Sequence, residues 1–245
     1  MAVKRSQSVA RALSVLETVA SRQPIGVSAL AKLLEEDRSA VQRSVMTLAD
    51  AGWIRLAPEP PVRWELSPHV FTIAHLPQST SDLRQRARRV LEELRSKTGE
   101  TAFLAIPDIN RFVVVDVVES EHMLRMSTRM GEIISPLKSA TGRAVLPYLD
   151  RERQVTMLGR APSRAELGEF AATRTRGFSI SVNDVLQGAS NLGAPVFDNH
   201  GHPMGAIVVS GPTDRLSIEL HDGIGKLLAR HAQGLSRSAP TADAG

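Results

Sequence analysis

Val27 to Trp53, VSALAKLLEEDRSAVQRSVMTLADAGW, reads as two short amphipathic helices with an acidic break between them. In the first, Val27, Leu30, Ala31 and Leu34 recur at the spacing of one helical face, and the small Ala31 allows a second helix to approach closely. Asp37 is a good N-cap, so the second helix is expected to begin at Arg38, with Val41, Val45 and Leu48 as its buried stripe. Arg38, Ser39, Gln42 and Arg43 then fall around the other side and near the N-terminal end. These residue types contact phosphates and base edges when a helix-turn-helix lays its second helix in the major groove. A solvated surface helix pair shows the same local pattern, so the flanks decide between the two.

On the C-terminal side, Gly52 stands at the C′ position and Trp53-Ile54-Arg55-Leu56 follows as a short apolar strand. After the tip Pro58-Glu59-Pro60-Pro61, the chain returns as Val62-Arg63-Trp64-Glu65-Leu66. This is a hairpin with Arg55 and Arg63 near its ends, the wing of a winged helix-turn-helix. On the N-terminal side, Val9 to Ser21 reads as a helix with Ser8 as cap and Val9, Leu13, Leu16 and Ala20 on one face, packing on the helix pair or pairing between subunits. Before it, Lys4-Arg5 lies in a short polar arm that reads as a frayed terminus before it reads as an arm reaching a neighbouring minor groove.

The whole chain has 245 residues, enough for two domains. Its 42% hydrophobic and 23% charged content is ordinary for a globular protein, and a net charge of +4 permits nucleic-acid binding without establishing it. Cysteine is absent, which removes disulfides, thiolate metal sites and a Cys nucleophile together. No apolar run is long enough to span a membrane and Val9 to Ala20 is interrupted by Arg11 and Glu17, so a cytoplasmic protein is expected.

Downstream of the wing, Ser67-Pro68 to Leu76 reads as a short helical segment closed by Pro77. Ser81 to Lys97 is a clear helix with Leu83, Ala87, Val90, Leu91 and Leu94 on its apolar face and Arg84, Arg86, Arg88 and Arg89 crowding its first half; its place makes it a linker. From Glu100 the pattern turns β-rich. Strands are expected at 101–106, 111–119, 122–128, 178–181, 191–197 and 203–210, and helices at 141–149, 151–159, 164–176 and 217–235. The fold class is therefore α+β: a winged helix-turn-helix domain over 1–76, a linker helix over 77–98, a mixed sheet with helices over 99–235 and a disordered tail over 236–245.

In order along the chain stand Ser8-Val9-Ala10-Arg11-Ala12-Leu13, Ser39-Ala40-Val41-Gln42-Arg43, Gly99-Glu100-Thr101, then Gly131, Ser135-Pro136-Leu137 and Thr141-Gly142-Arg143-Ala144. Gly177-Phe178-Ser179, Gly188, Ala194-Pro195-Val196 and Ser210-Gly211-Pro212 complete the series. In this order and spacing the chain resembles the isocitrate lyase regulator (IclR) family of bacterial transcription regulators. The resemblance implies a GAF-like effector domain, a double-stranded DNA operator, a small organic-acid effector and assembly as a dimer or dimer of dimers. Two departures stand out. The family's Gly-Leu between the helices is Glu35-Glu36 here, placing acid near the DNA face or relocating the turn, and the loop from Pro136 to Gly142 is one residue short.

Carried over by position, the effector pocket comprises Met123, Met126 and Ile134 on an apolar side, the backbone N–H groups of Ala140, Thr141 and Gly142 for a carboxylate, and Ser181, Ala189, Asn191, Val208 and Ser210 around the remainder. Few of these are polar, which favours an aromatic or branched acid. DNA contacts are expected from Arg38, Ser39, Gln42, Arg43, Arg55, Arg63, Lys4 and Arg5. No nucleophile elbow, phosphate-binding Gly-rich loop or metal helix occurs. His200-Gly201-His202 lacks an evident third metal ligand, and Glu119, Glu121 and His122 read as an exposed turn, so neither an enzyme nor a cofactor is expected. A sensor without operator binding is the alternative, and a hydrolase a distant one.

Overall fold

The structure is a computed structural model and describes residues 6–74 and 81–237. The chain divides into two compact units, residues 1–78 and 79–245.

The first unit contains α1 (Gln7–Arg22), α2 (Val27–Leu34), α3 (Arg38–Asp50), the hairpin strands β1 (Ile54–Leu56) and β2 (Trp64–Leu66), and α4 (His69–Ala74). α3 begins at Arg38 because the Asp37 side chain accepts the Ala40 N–H at 3.0 Å, and it ends where Gly52 takes φ +79°. Val41, Val45 and Leu48 pack with Val15, Val19, Leu30, Ile54 and Trp64 into one core. β1 and β2 pair antiparallel with Arg55 opposite Glu65, and Ile25 adds a bridge to Trp64 that ties the α1–α2 connection to the wing.

Two expectations for α1 are corrected. The helix starts at Gln7, with Ser6 at the N-cap position, so Ser8 lies inside the first turn. Its buried residues are Val15 and Val19, whereas Val9 and Leu13 are exposed. Apolar residues occur on two sides of this helix, and the stripe meeting α3 is the one four residues apart through Val15 and Val19. Lys4, Arg5 and Pro77 lie outside the described residues.

The second unit opens with α5 (Ser81–Thr98), followed by β3 (Thr101–Asp108), β4 (Arg111–Val118), β5 (Ile133–Ile134), α6 (Ala140–Val145), α7 (Arg151–Leu158), α8 (Arg164–Arg176), β6 (Ser179–Val182), β7 (Ala189–Phe197), β8 (Pro203–Pro212) and α9 (Ile218–Arg237). The six strands form one antiparallel sheet in the order β5-β4-β3-β8-β7-β6. Residues 122–128, expected as a strand, instead form an irregular loop, and the edge position beside β4 is taken by the two-residue β5. The helix expected over 141–149 is cut short because Pro147 supplies no N–H to an α-helical turn, and residues 146–148 tighten to a 3-10 turn. α9 runs through Arg237, past the expected start of the tail at 236, with Ser236 Oγ accepting the Phe197 N–H at 2.9 Å.

Strand alternation gives the sheet two apolar faces. On one, Ala102, Leu104, Leu192, Ala194, Ile207 and Val209 meet Leu83, Ala87, Leu91 and Leu94 of α5 and Leu228, Ala232 and Leu235 of α9. On the other, Phe103, Ala105, Phe112, Val114, Ala206 and Val208 meet Ala140, Ala144, Val145 and Phe170 of α6 and α8. α5, the expected linker, thus buries its apolar stripe on the sheet of the second unit.

Candidate DNA face and effector site

On α3, Arg38, Ser39, Gln42 and Arg43 are all exposed, spaced so that they share one helical face opposite the Val41/Val45 stripe. The Arg38 and Arg43 guanidinium groups form no ion pair with any other described residue, so their donors point to solvent. On the wing, Arg63 is exposed, whereas Arg55 Nε donates to Glu65 Oε1 at 2.8 Å across the hairpin. The departure at Glu35-Glu36 is resolved locally. Glu35 itself takes the left-handed conformation, φ +53°, that closes α2. Glu36 turns inward and accepts Arg11 Nε of α1 at 2.8 Å, so one of the two acids is neutralised by the scaffold.

In the second unit the register aligns one polar row across four strands. Ser181 of β6 stands opposite Asn191 of β7, Asn191 opposite Ser210 of β8, and Ser210 opposite Thr101 of β3. The row lies on the face that carries α6, flanked by Ala189 on one side and by Val208 on the other. α6 enters above it: Ser139 Oγ caps the helix by accepting the Gly142 N–H at 3.0 Å, and Ser181 Oγ donates to Lys138 O at 2.7 Å. Gly142 is required there because an added Cβ would collide with the Pro136 carbonyl, which is how the shortened loop folds back on its helix. Ala140, Thr141, Gly142, Ser181, Ala189, Val208 and Ser210 are all buried.

Over the row passes the loop 119–132. Thr101 Oγ1 donates to Met126 O at 2.9 Å, and Arg215 donates to Leu124 O at 2.9 Å while holding Glu100 through two hydrogen bonds, from its Nε and Nη2. Of the carried-over residues, the structure brings together Ala140, Thr141, Gly142, Ser181, Ala189, Asn191, Val208 and Ser210, with Met126 above them. Ile134 shares their face but sits on β5 at the opposite edge of the sheet. Met123 does not join them: it is 99% exposed at the turn of the loop, because that segment is not the strand whose alternation would have turned it inward. Thr101 and Ser179, absent from the sequence-based set, belong to the site. Ser179 Oγ donates to Ala140 O at 2.7 Å and so fixes α6 to β6. Both stood in quoted motifs, Gly-Glu-Thr and Gly-Phe-Ser, but only the register shows which way they face.

The residues weighed for catalysis are engaged otherwise. Glu119 pairs with Arg125 and Glu121 with Arg95. His202 Nδ1 lies 3.3 Å from Asp198 Oδ2, and among the described residues no three His, Cys, Asp or Glu side chains converge as a metal site.

Comparison with known proteins finds matches over nearly the full chain. The model of the bacterial transcriptional regulator IclR C-terminal domain matches residues 77–237, and that of the IclR helix-turn-helix domain matches residues 8–58. The transcriptional repressor IclR of Escherichia coli is 27% identical over 241 residues, covering 93% of this chain and 88% of that protein. The HTH-type transcriptional regulator BhcR of Paracoccus denitrificans is 28% identical over 247 residues, covering 96% and 88%. Among solved structures, an IclR homolog from Microbacterium hydrocarbonoxydans complexed with 4-hydroxybenzoate is similar with a TM-score of 0.79 at 18% identity, covering 94% of this chain and 98% of that one.

Proposed function

Because the chain belongs to the IclR family of bacterial transcriptional regulators, we propose that α3 and the wing bind a double-stranded operator and that a compact organic acid, bound under α6, controls that binding. In this reading residues 1–76 bind DNA, 77–98 connect, and 99–235 bind the effector in a cytoplasmic protein. The observation that carries it is the conjunction of two sites. One is an exposed α3 face with two guanidinium groups unpaired among the described residues, and the other is a buried polar row roofed by a helix N-terminus. Free N–H groups and the helix dipole at Ala140 and Thr141 favour a carboxylate. Val208, Ala189, Phe103 and Ala140 leave apolar atoms for its body. The acid bound by the Microbacterium homolog is aromatic, which supports an aromatic or branched effector here.

Ser181, Ser210 and Thr101 are buried and the loop 119–132 is fastened to Thr101, so in this reading the acid enters by movement of that loop and acts by its differential affinity for the two arrangements. A single recognition helix covers few base pairs, and dimers or dimers of dimers related by two-fold symmetry supply the rest. Gel shift of the full chain on its own upstream DNA, with and without 4-hydroxybenzoate, branched acids, glyoxylate and pyruvate, tests both halves. No specific shift under any condition would leave a sensor without operator binding. A response to glyoxylate or pyruvate alone would reject the apolar pocket. Arg43→Ala is expected to cost about 1–3 kcal/mol of operator affinity at fixed salt if Arg43 reads a base.

A further inference from the structure

The arginine-rich first half of α5 is not used by the function proposed above, and it faces α9 across a groove of about 540 Å³. That volume lies within the roughly 300–1,000 Å³ of small-molecule sites. Gln85, Arg86, Arg89, Arg230 and His231 supply the polar lining, and Val90 and Leu235 the apolar part. Among the described residues no carboxylate lines it. Arg86 is fixed in place, with Nε donating to Asp82 Oδ2 at 3.1 Å and Nη1 to Leu235 O at 2.6 Å, so its charge is already balanced. His231 Nε2 lies 3.8 Å from Glu93 Oε2. Arg89 and Arg230, by contrast, form no ion pair or side-chain hydrogen bond with any described residue, and they face the same groove from two different helices.

Two guanidinium groups without a counter-charge among the described residues line one recess, and a ligand that carried two negative charges would cancel both. Guanidinium forks match the oxygens of carboxylates and phosphates in bidentate geometry. We propose that the groove between α5 and α9 is a binding site for a small doubly charged oxyanion, a phosphomonoester or a dicarboxylate, held by Arg89 and Arg230 with Gln85 and Arg86 Nη2 as further donors. The site lies on the α5–α9 side of the sheet, opposite the face that carries α6, so it is separate from the proposed acid pocket. Occupancy ties the first helix of the second unit to its last.

His231 is the local reporter. Burial holds its imidazole below the usual value, with Lys97 and Arg230 acting in the same direction against Glu93, and an anion in the groove would oppose the effect of Arg230. The test is histidine-resolved NMR on the full-length protein at about pH 7.5, where a phosphate is largely dianionic and the neutral His231 ring reports an anion beside it by proximity rather than by a change of protonation. Inorganic phosphate, phenyl phosphate and succinate are titrated at constant ionic strength, with acetate as the monoanion. A saturable shift of the His231 resonance is expected with the dianions and not with acetate. Arg89→Gln and Arg230→Gln should each weaken it by about tenfold or more, as loss of a charged hydrogen-bonding partner does. A response to the phosphates alone identifies a phosphate ligand, and one to succinate alone a dicarboxylate. No saturable shift with any dianion, an equal response to acetate, or undiminished binding in both variants overturns the site. Because both arginines are exposed, the singly substituted chains are expected to fold, and the wild-type titration stands without them.

Discussion

Replacing Arg215 by Ala is expected to destabilise the second unit more than replacing its partner Glu100 by Gln. Glu100 is 1% exposed, and Arg215 meets both of its carboxylate oxygens; it also lies against Gly211, where an added Cβ would meet its carboxyl carbon at 2.7 Å. Removing Arg215 leaves a buried carboxylate without its countercharge, a change that costs about 3–5 kcal/mol. Removing the charge of Glu100 leaves Arg215, whose side chain is 32% exposed and still donates to Leu124 O, so water and that carbonyl retain the cation. The cost there is nearer that of a weakened charged hydrogen bond, about 1.5–3 kcal/mol. Urea unfolding can separate the units spectroscopically, since both tryptophans, Trp53 and Trp64, belong to the first and the single tyrosine, Tyr148, to the second. Circular dichroism should show the Arg215→Ala transition displaced to lower urea, while the Trp fluorescence transition reports the unaltered first unit. Equal losses in the two variants, or a loss under about 1 kcal/mol for Arg215→Ala, would refute the asymmetry argued from burial.

Glu35→Gly should stabilise the first unit by about 0.5 kcal/mol, since relief of the left-handed backbone, worth about 1–2 kcal/mol, exceeds the added chain entropy of glycine; Trp fluorescence in urea measures it. Asp37→Ala removes the cap on Ala40 N and is expected to cost about 1 kcal/mol by the same assay. Gly142→Ala forces a Cβ into the Pro136 carbonyl, so thermal stability should fall by about 1–3 kcal/mol equivalent and any stabilisation by 4-hydroxybenzoate should vanish. For pH, burial depresses the His231 value below 6.5, so the unfolded chain takes up the proton first; stability is full above about 6.5 and is lost as the pH falls from there through the depressed native value. His231→Gln should flatten that part of the stability profile, as read by thermal unfolding at a series of pH values.

The first unit was legible because its signals are local. Asp37 and Gly52 mark the ends of α3, and the stripe Val41, Val45, Leu48 needs no knowledge of its partner. α1 misled because apolar residues lie on two of its sides, and which side is buried depends on where α3 arrives, which no periodicity states. In the second unit, Val208 and Ser210 came only by position from the family resemblance, and neither it nor strand alternation gives the alignment of Ser181, Asn191, Ser210 and Thr101. That alignment is a property of the register between strands up to 109 positions apart, Thr101 with Ser210. Residues 122–128 failed as a strand for a related reason: alternation survives in a loop fastened by Thr101 and Arg215, groups that belong to distant segments.

The position of β3 also governs when this fold can exist. It sits inside the sheet between β4, its immediate successor, and β8, the last strand made. On a ribosome, β3 and β4 can pair as a hairpin early, yet one long edge of β3 stays bare until residue 212 has emerged. The apolar side of α5 waits longer, because α9, which completes its packing, ends at Arg237. For more than a hundred residues of synthesis the nascent chain therefore carries an open strand edge and an uncovered helix, the two features that invite wrong pairing with a neighbour. A message truncated after β7 would yield a first unit with its own intact core attached to a second that cannot close, so the α3 face would form while the polar row stayed incomplete.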